Sequence, residues 1–140
     1  MRSVDYLQSR SDILRDGIGY AGTSFGSTFL GVIVVALEPR LRTAVLMDGG
    51  LANGTAAVPE MDGFNFAPRI KVPVLMVNGR YDFTFPAASS QDPLFRLLGS
   101  PERDKRHVLF DAAHDTSLDR TGLIREVLQW LDRYLGTVKK

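Results

Sequence analysis

The sequence predicts an α/β protein, a mostly parallel sheet of about four strands flanked by helices and folded as one domain over residues 1–140. Three observations carry that expectation. Strand-like and helix-like segments alternate along the chain, the pattern of strands joined by right-handed crossover helices. The apolar run Ile18-Gly-Tyr-Ala breaks into Gly22-Thr-Ser-Phe-Gly26 and resumes as an apolar stretch, which reads as a strand bending sharply into a helix. Toward the C-terminus, Ile124, Val127, Leu128, Leu131, Tyr134 and Leu135 recur at helical spacing, and Gly136 follows as a C-cap.

In chain order, the reading places a helix over 3–9 and a strand over 17–21, opened by Gly17 and closed by Ala21. A helix over 25–37 follows, from Phe25 to Leu37. Its four consecutive β-branched residues, Val32 to Val35, favour a strand by propensity. Its place after the sharp turn, and its apolar character all round, instead call for a buried helix. Strands are predicted over 43–47, 72–78 and 106–111, with helices over 90–98 and 118–135; the last apolar stripe is expected to cover the sheet. The connection 48–71 reads as loop. Leu51, Phe64 and Phe66 within it, with Phe83 beyond the third strand, are candidate pocket-lining residues; Phe64 and Phe66 serve equally as plugs holding the loop on the core.

The composition is that of a globular chain: 44% hydrophobic and 24% charged residues in 140, enough to bury one core. A formal charge of +1 with the signs evenly mixed leaves no basic face for nucleic acid, and Lys139-Lys140 reads as a solvated chain end. There is no cysteine, and the two histidines fall in different contexts, so neither a thiolate site nor a metal cluster is expected, and no cofactor. The opening Met1-Arg-Ser-Val-Asp-Tyr-Leu lacks an apolar secretion core, and the longest apolar run, Phe29 to Leu37, is too short for a bilayer. The expected location is cytoplasmic, with no membrane partner.

The turn carries the chemistry. A serine on a tight strand-to-helix bend, as in Gly-x-Ser-x-Gly, is a nucleophile elbow: the hydroxyl stands above the sheet and flanking glycines let the two backbones approach. The Phe25 amide then points from the helix start toward the position of an oxyanion. Asp82 lies just past the strand that ends in Asn78-Gly79, and His114 just past the strand 106–111. Ligands meet parallel sheets at such strand ends, whereas His107 lies inside its strand, so His114 is the preferred general base. Asp92, Asp111 and Asp115 compete with Asp82 as the acid. The order Ser, Asp, His distinguishes one serine-hydrolase arrangement from the others.

Gly22-Thr-Ser-Phe-Gly26, Val72-Pro-Val-Leu-Met-Val-Asn-Gly-Arg-Tyr-Asp82 and Ala113-His114 together resemble the α/β-hydrolase superfamily, on its dienelactone hydrolase and prolyl-oligopeptidase-like side. Phe64-Asn-Phe-Ala-Pro-Arg69 and Pro93-Leu-Phe-Arg-Leu-Leu-Gly99 also resemble hydrolase-like domains that some bacteria attach to protein kinases. The resemblance implies Ser24 as nucleophile, Asp82 as orienting acid, His114 as base and the Phe25 amide as an oxyanion donor. It implies hydrolysis of small carboxylic esters through an acyl-enzyme, with a lactone or a peptide as alternative substrates of the same triad. The elbow comes by residue 26, so the resemblance covers the superfamily's C-terminal half, a truncated domain. The half that supplies a second oxyanion amide lies outside it. A weakly active remnant that binds or self-associates is the rival expectation.

With the preceding strands absent, the edge from Gly17 to Ala21 would have no neighbour, and the apolar helix from Phe25 to Leu37 would be less covered. Both point to a homo-oligomer, most simply a two-fold dimer through those two elements. The alternative is that the chain's own first ten residues cover the edge.

Overall fold

The computed structural model describes residues 2–52 and 58–137; Lys139-Lys140 and the middle of the 48–71 connection lie outside the described residues. Four strands form one sheet: β1 (Gly19–Thr23), β2 (Thr43–Met47), β3 (Val74–Gly79) and β4 (Lys105–Phe110). Their spatial order is their chain order, and every neighbouring pair is parallel. The helices are α1 (Arg2–Ser9), α2 (Val32–Leu37), α3 (Gly63–Phe66), α4 (Asp92–Leu97) and α5 (Arg120–Leu135).

Strand periodicity divides the core into two layers, because successive side chains point to opposite faces. Ala44, Leu46, Val74 and Met76 face one side and pack with Val4 of α1, Val32 and Val35 of α2, and Leu94 of α4. Val45, Leu75 and Val77 face the other side, against Trp130 and the flanking Leu123, Val127, Leu131 and Tyr134 of α5. Trp130 Nε1 donates to Thr43 Oγ1 at 2.8 Å, which fixes α5 over the start of β2. The middle strands read as continuous apolar runs because both of their faces are covered. In β3 every residue is buried, whereas no residue of β1 is.

Several boundaries differ from the sequence reading. The first strand begins at Gly19 rather than Gly17, because Gly17 N–H closes a turn onto Leu14 O. The helix expected over 25–37 starts as a π-helical stretch, Gly26–Gly31, and becomes α-helical only at Val32. The 48–71 connection is not all loop: it contains α3 and a 3-10 turn, Ala67–Arg69. Asp62 caps α3 by accepting from Phe64 N–H at 3.0 Å. The apolar arc of α5 is wider than its contact with the sheet, so Ile124 and Leu128, expected under cover, are 44% and 54% exposed. Gly136 ends α5 with φ +85°, as a C-cap glycine does.

Among the described residues, β1 pairs only with β2, and its other edge carries no strand. Helix α1 adds no strand to that edge and is held at the turn after α2. There Arg40 forks onto Glu38 with two 2.6 Å bonds and reaches Asp5 at 2.7 Å and Gln8 at 3.0 Å.

Candidate active site

The C-terminal ends of parallel strands gather the loops that follow them on one rim of the sheet. Ser24 follows β1, Asp82 follows β3 and His114 follows β4. Ser24 has φ +52°, a left-handed backbone that a non-glycine residue adopts only when its surroundings enforce it. Those surroundings are specific. Ser24 N–H donates to Met47 O at 2.9 Å, and Ser24 O accepts from Ser27 N–H at 3.0 Å and Thr28 N–H at 2.9 Å. Ser27 Oγ lies between the carbonyls of Gly22 (2.6 Å) and Met47 (2.7 Å), and Tyr20 Oη donates to Gly26 O at 2.6 Å.

The two glycines of the motif are not equivalent. A Cβ on Gly22 would meet Gly26 O at 2.5 Å, so this position admits no side chain. At Gly26 the nearest atom to such a Cβ is Tyr20 Oη at 3.9 Å, so the expected collision does not arise there.

The turn presents the Ser24 hydroxyl to His114: Oγ and Nε2 are 2.8 Å apart. On the far side of the ring, His114 Nδ1 lies 2.9 Å from Asp82 Oδ2. The other oxygen, Asp82 Oδ1, accepts from Thr84 N–H at 2.8 Å and Phe85 N–H at 3.1 Å, so the buried carboxylate is oriented by its own loop. The ring of Phe85 packs 5.6 Å from the imidazole. The structure therefore joins Ser24, His114 and Asp82 in one continuous hydrogen-bonded row. An acid on Nδ1 leaves Nε2 free to take a proton from the hydroxyl.

The competing residues lie apart from this row. His107 Nε2 lies 3.1 Å from Asn78 Oδ1, its ring stacks on Phe95 at 5.5 Å, and burial holds its pKa below the ordinary histidine value despite Asp92 nearby. Asp111 meets Arg80 at the surface, and Asp115 caps the next turn by accepting from Ser117 N–H at 3.0 Å.

Phe25 N–H takes part in none of the turn's hydrogen bonds among the described residues, whereas the amides of Ser27 and Thr28 are satisfied. The Phe25 side chain is exposed and its ring lies 5.1 Å from that of Phe29. Of the candidate pocket residues, Leu51 and Phe66 pack against the core layer beneath, while Phe64 is exposed on α3 and Phe83 is 81% exposed beyond β3. Among the described residues no group of histidines and carboxylates could hold a metal ion, and no helix is long and apolar enough to cross a membrane.

Two contributors were not found by sequence reasoning. Gly79, at the end of β3, lets the His114 loop pass: a Cβ there would lie 1.7 Å from Ala113 O. Asp48, at the end of β2, is buried, and its carboxylate accepts from Thr116 N–H at 3.2 Å and Thr116 Oγ1–H at 3.1 Å, two residues beyond His114. Burial pushes the Asp48 carboxyl up from its ordinary pKa, against the opposing pull of Thr116 and His114. For Gly79 the signal lay in the sequence, a strand ending in Asn-Gly; for Asp48 the sequence shows only its place at a strand end before Gly49-Gly50, not its contact with Thr116.

No protein-family model matches the sequence, and no curated protein is significantly similar to it. Solved structures do match in shape. A cold-adapted esterase from an Arctic intertidal metagenomic library superimposes with a TM-score of 0.77 over 96% of this chain, at 22% identity. The chain has part of the α/β-hydrolase fold. A putative dienelactone hydrolase from Klebsiella pneumoniae has the α/β-hydrolase fold too, with a TM-score of 0.75, 17% identity and 94% of this chain covered. An acylaminoacyl peptidase from Pyrococcus horikoshii gives 0.76, 14% and 97%. The chain spans 55% of the length of the esterase, 58% of the dienelactone hydrolase and 27% of the peptidase.

Proposed function

We propose that the chain is a serine hydrolase acting on small carboxylic esters. The observation that carries this reading is the row Ser24 Oγ–His114 Nε2–Asp82, at 2.8 and 2.9 Å, with the serine on a left-handed elbow. His114 accepts the Ser24 proton as Oγ attacks the ester carbonyl. Asp82 holds the imidazole in the productive tautomer and stabilises its protonated form. The Phe25 N–H is free to donate to the oxyanion of the tetrahedral intermediate. Collapse of that intermediate protonates the leaving alcohol from His114 and leaves an acyl-Ser24. Water, deprotonated by the same imidazole, then releases the acid.

The fold's solved neighbours include an esterase and a putative dienelactone hydrolase, which supports hydrolysis as the reaction class. Among the described residues the connection after β2 carries only the one-turn α3 and a 3-10 turn rather than a large lid, which favours small acyl groups over long chains.

The test is hydrolysis of acetyl, butyryl and longer acyl nitrophenyl esters by the purified chain beside three variants. Ser24→Ala and His114→Ala are expected to lower kcat at least about a thousandfold, and Asp82→Asn by a comparable factor. Acetyl and butyryl esters should turn over faster than long ones. Activity in Ser24→Ala equal to that of the parent would overturn the assignment.

A further inference from the structure

Among the described residues only two outside glycine have a left-handed backbone, Ser24 at φ +52° and Asp48 at φ +50°. They close adjacent strands, β1 and β2, and are linked through the strand end, since Ser24 N–H donates to Met47 O. The geometry of Ser24 is the elbow itself. That of Asp48 needs a separate account. Glycine adopts this conformation without penalty and glycines occupy the next two positions, yet here the chain has a carboxylate, buried and left-handed at once. Aspartate is among the few non-glycine residues that adopt this backbone, and its buried carboxylate is retained where glycine would carry no cost, which marks a position where something other than stability is at stake.

The carboxylate is engaged with the loop that carries His114. Asp48 Oδ1 accepts from Thr116 N–H and Oδ2 from Thr116 Oγ1–H, at 3.2 and 3.1 Å, and Thr116 is fully buried. Both donors belong to one residue, so the contact fixes position and rotation together. Asp48 itself is tied to β3 by its N–H on Val77 O at 2.9 Å. The His114 loop is thus held from two sides. Before the histidine, Ala112 O accepts from Tyr81 N–H at 3.0 Å; after it, Thr116 is held by β2.

We infer that Asp48 is a positioning residue: with Thr116 it clamps the loop after β4 so that His114 Nε2 stays within hydrogen-bond reach of Ser24 Oγ. The inference rests on reading Ser24 and His114 as nucleophile and base. The charged groups around the clamp are few: Asp48 faces His114 and Asp115, and His114 also faces Asp82.

The predicted consequence is a loss of turnover without a loss of substrate binding, because an imidazole displaced by a fraction of an ångström still leaves the ester its place. Thr116→Val, which keeps volume and removes the hydroxyl, and Asp48→Gly, which keeps the backbone geometry and removes the carboxylate, are expected to lower kcat about tenfold or more with KM within about twofold. Thr116→Ser should recover most of that loss. Asp48→Asn should also recover most of it, since its oxygen still accepts from Thr116 N–H, its amide donates to the hydroxyl, and asparagine tolerates this backbone.

A second readout does not depend on turnover. The proton shared by His114 Nδ1 and Asp82 should exchange with solvent several times faster in Thr116→Val and Asp48→Gly than in the parent or the two rescuing variants, as read by nuclear magnetic resonance. If the parent hydrolyses no ester, the functional reading fails while this exchange measurement still tests the clamp. Unchanged exchange together with kcat within twofold in Thr116→Val and Asp48→Gly would overturn the clamp. So would a KM rise that accounts for the whole loss.

Discussion

A Cβ on Gly79 would lie 1.7 Å from the carbonyl oxygen of Ala113, so a single methyl group has no room there. Gly79→Ala is therefore expected to push the β4 loop outward, lowering stability by about 3 kcal/mol, measured by chemical denaturation, and displacing His114 so that ester turnover falls more than stability explains. Which residues gather at the rim was legible because a parallel sheet brings strand ends together, and Ser24, Asp82 and His114 each come just after an apolar strand-like run. Asp48 sits in the same relation to β2 and was passed over. Its carboxylate touches neither Ser24 nor the imidazole directly; it acts through Thr116, a contact across 68 residues of chain that no local pattern announces. The difference between Gly22 and Gly26 was hidden for a similar reason, since both satisfy the motif and only the path of the helix start decides which one is crowded.

Helix α1 buries a single residue, Val4, so its attachment depends on the Arg40 fork as much as on apolar contact. Arg40 holds Glu38 down to about 2, from an ordinary 4.5, chiefly through their hydrogen bonds. A carboxylate depressed in the folded state adds stability that is complete above its unfolded value and is lost as pH falls from about 4.5 toward 2. Arg40→Gln should accordingly move the acid-unfolding midpoint upward by about one pH unit, followed by circular dichroism, and expose α1 to faster amide exchange. The alternation of strands and helices was readable throughout, because β2 and β3 are buried on both faces and α5 is amphipathic. The π-helical start of the elbow helix was not. There Gly22 and Gly31 close on the Gly26 carbonyl and on Tyr20, and Gly31 on Leu46 as well, a tertiary arrangement rather than a propensity.

Taken as a whole, the sheet ends on one side at β1, where backbone groups face no neighbouring strand among the described residues, and where Phe25 and Leu30 are 61% and 51% exposed close to the same edge. We propose that a second copy covers it. An edge strand can pair antiparallel with its own symmetry mate about a two-fold axis, so one chain satisfies both halves of the contact. Light scattering should then give twice the 15.5 kDa of the chain, and Leu30→Lys should return it to the single mass. A chain that is monomeric at every working concentration would rule the dimer out. The all-parallel order has another outcome, in time rather than in space. Each strand must wait for a full crossover before it can pair, with Gly19 set beside Thr43, Ala44 beside Val74 and Val74 beside Lys105. Ninety residues separate Ser24 from His114, and no partly built sheet can bring them within reach. The rim is thus complete only in chains whose β4 has docked, so on the mechanism proposed above a reagent that marks the Ser24 hydroxyl would count the chains whose sheet is whole.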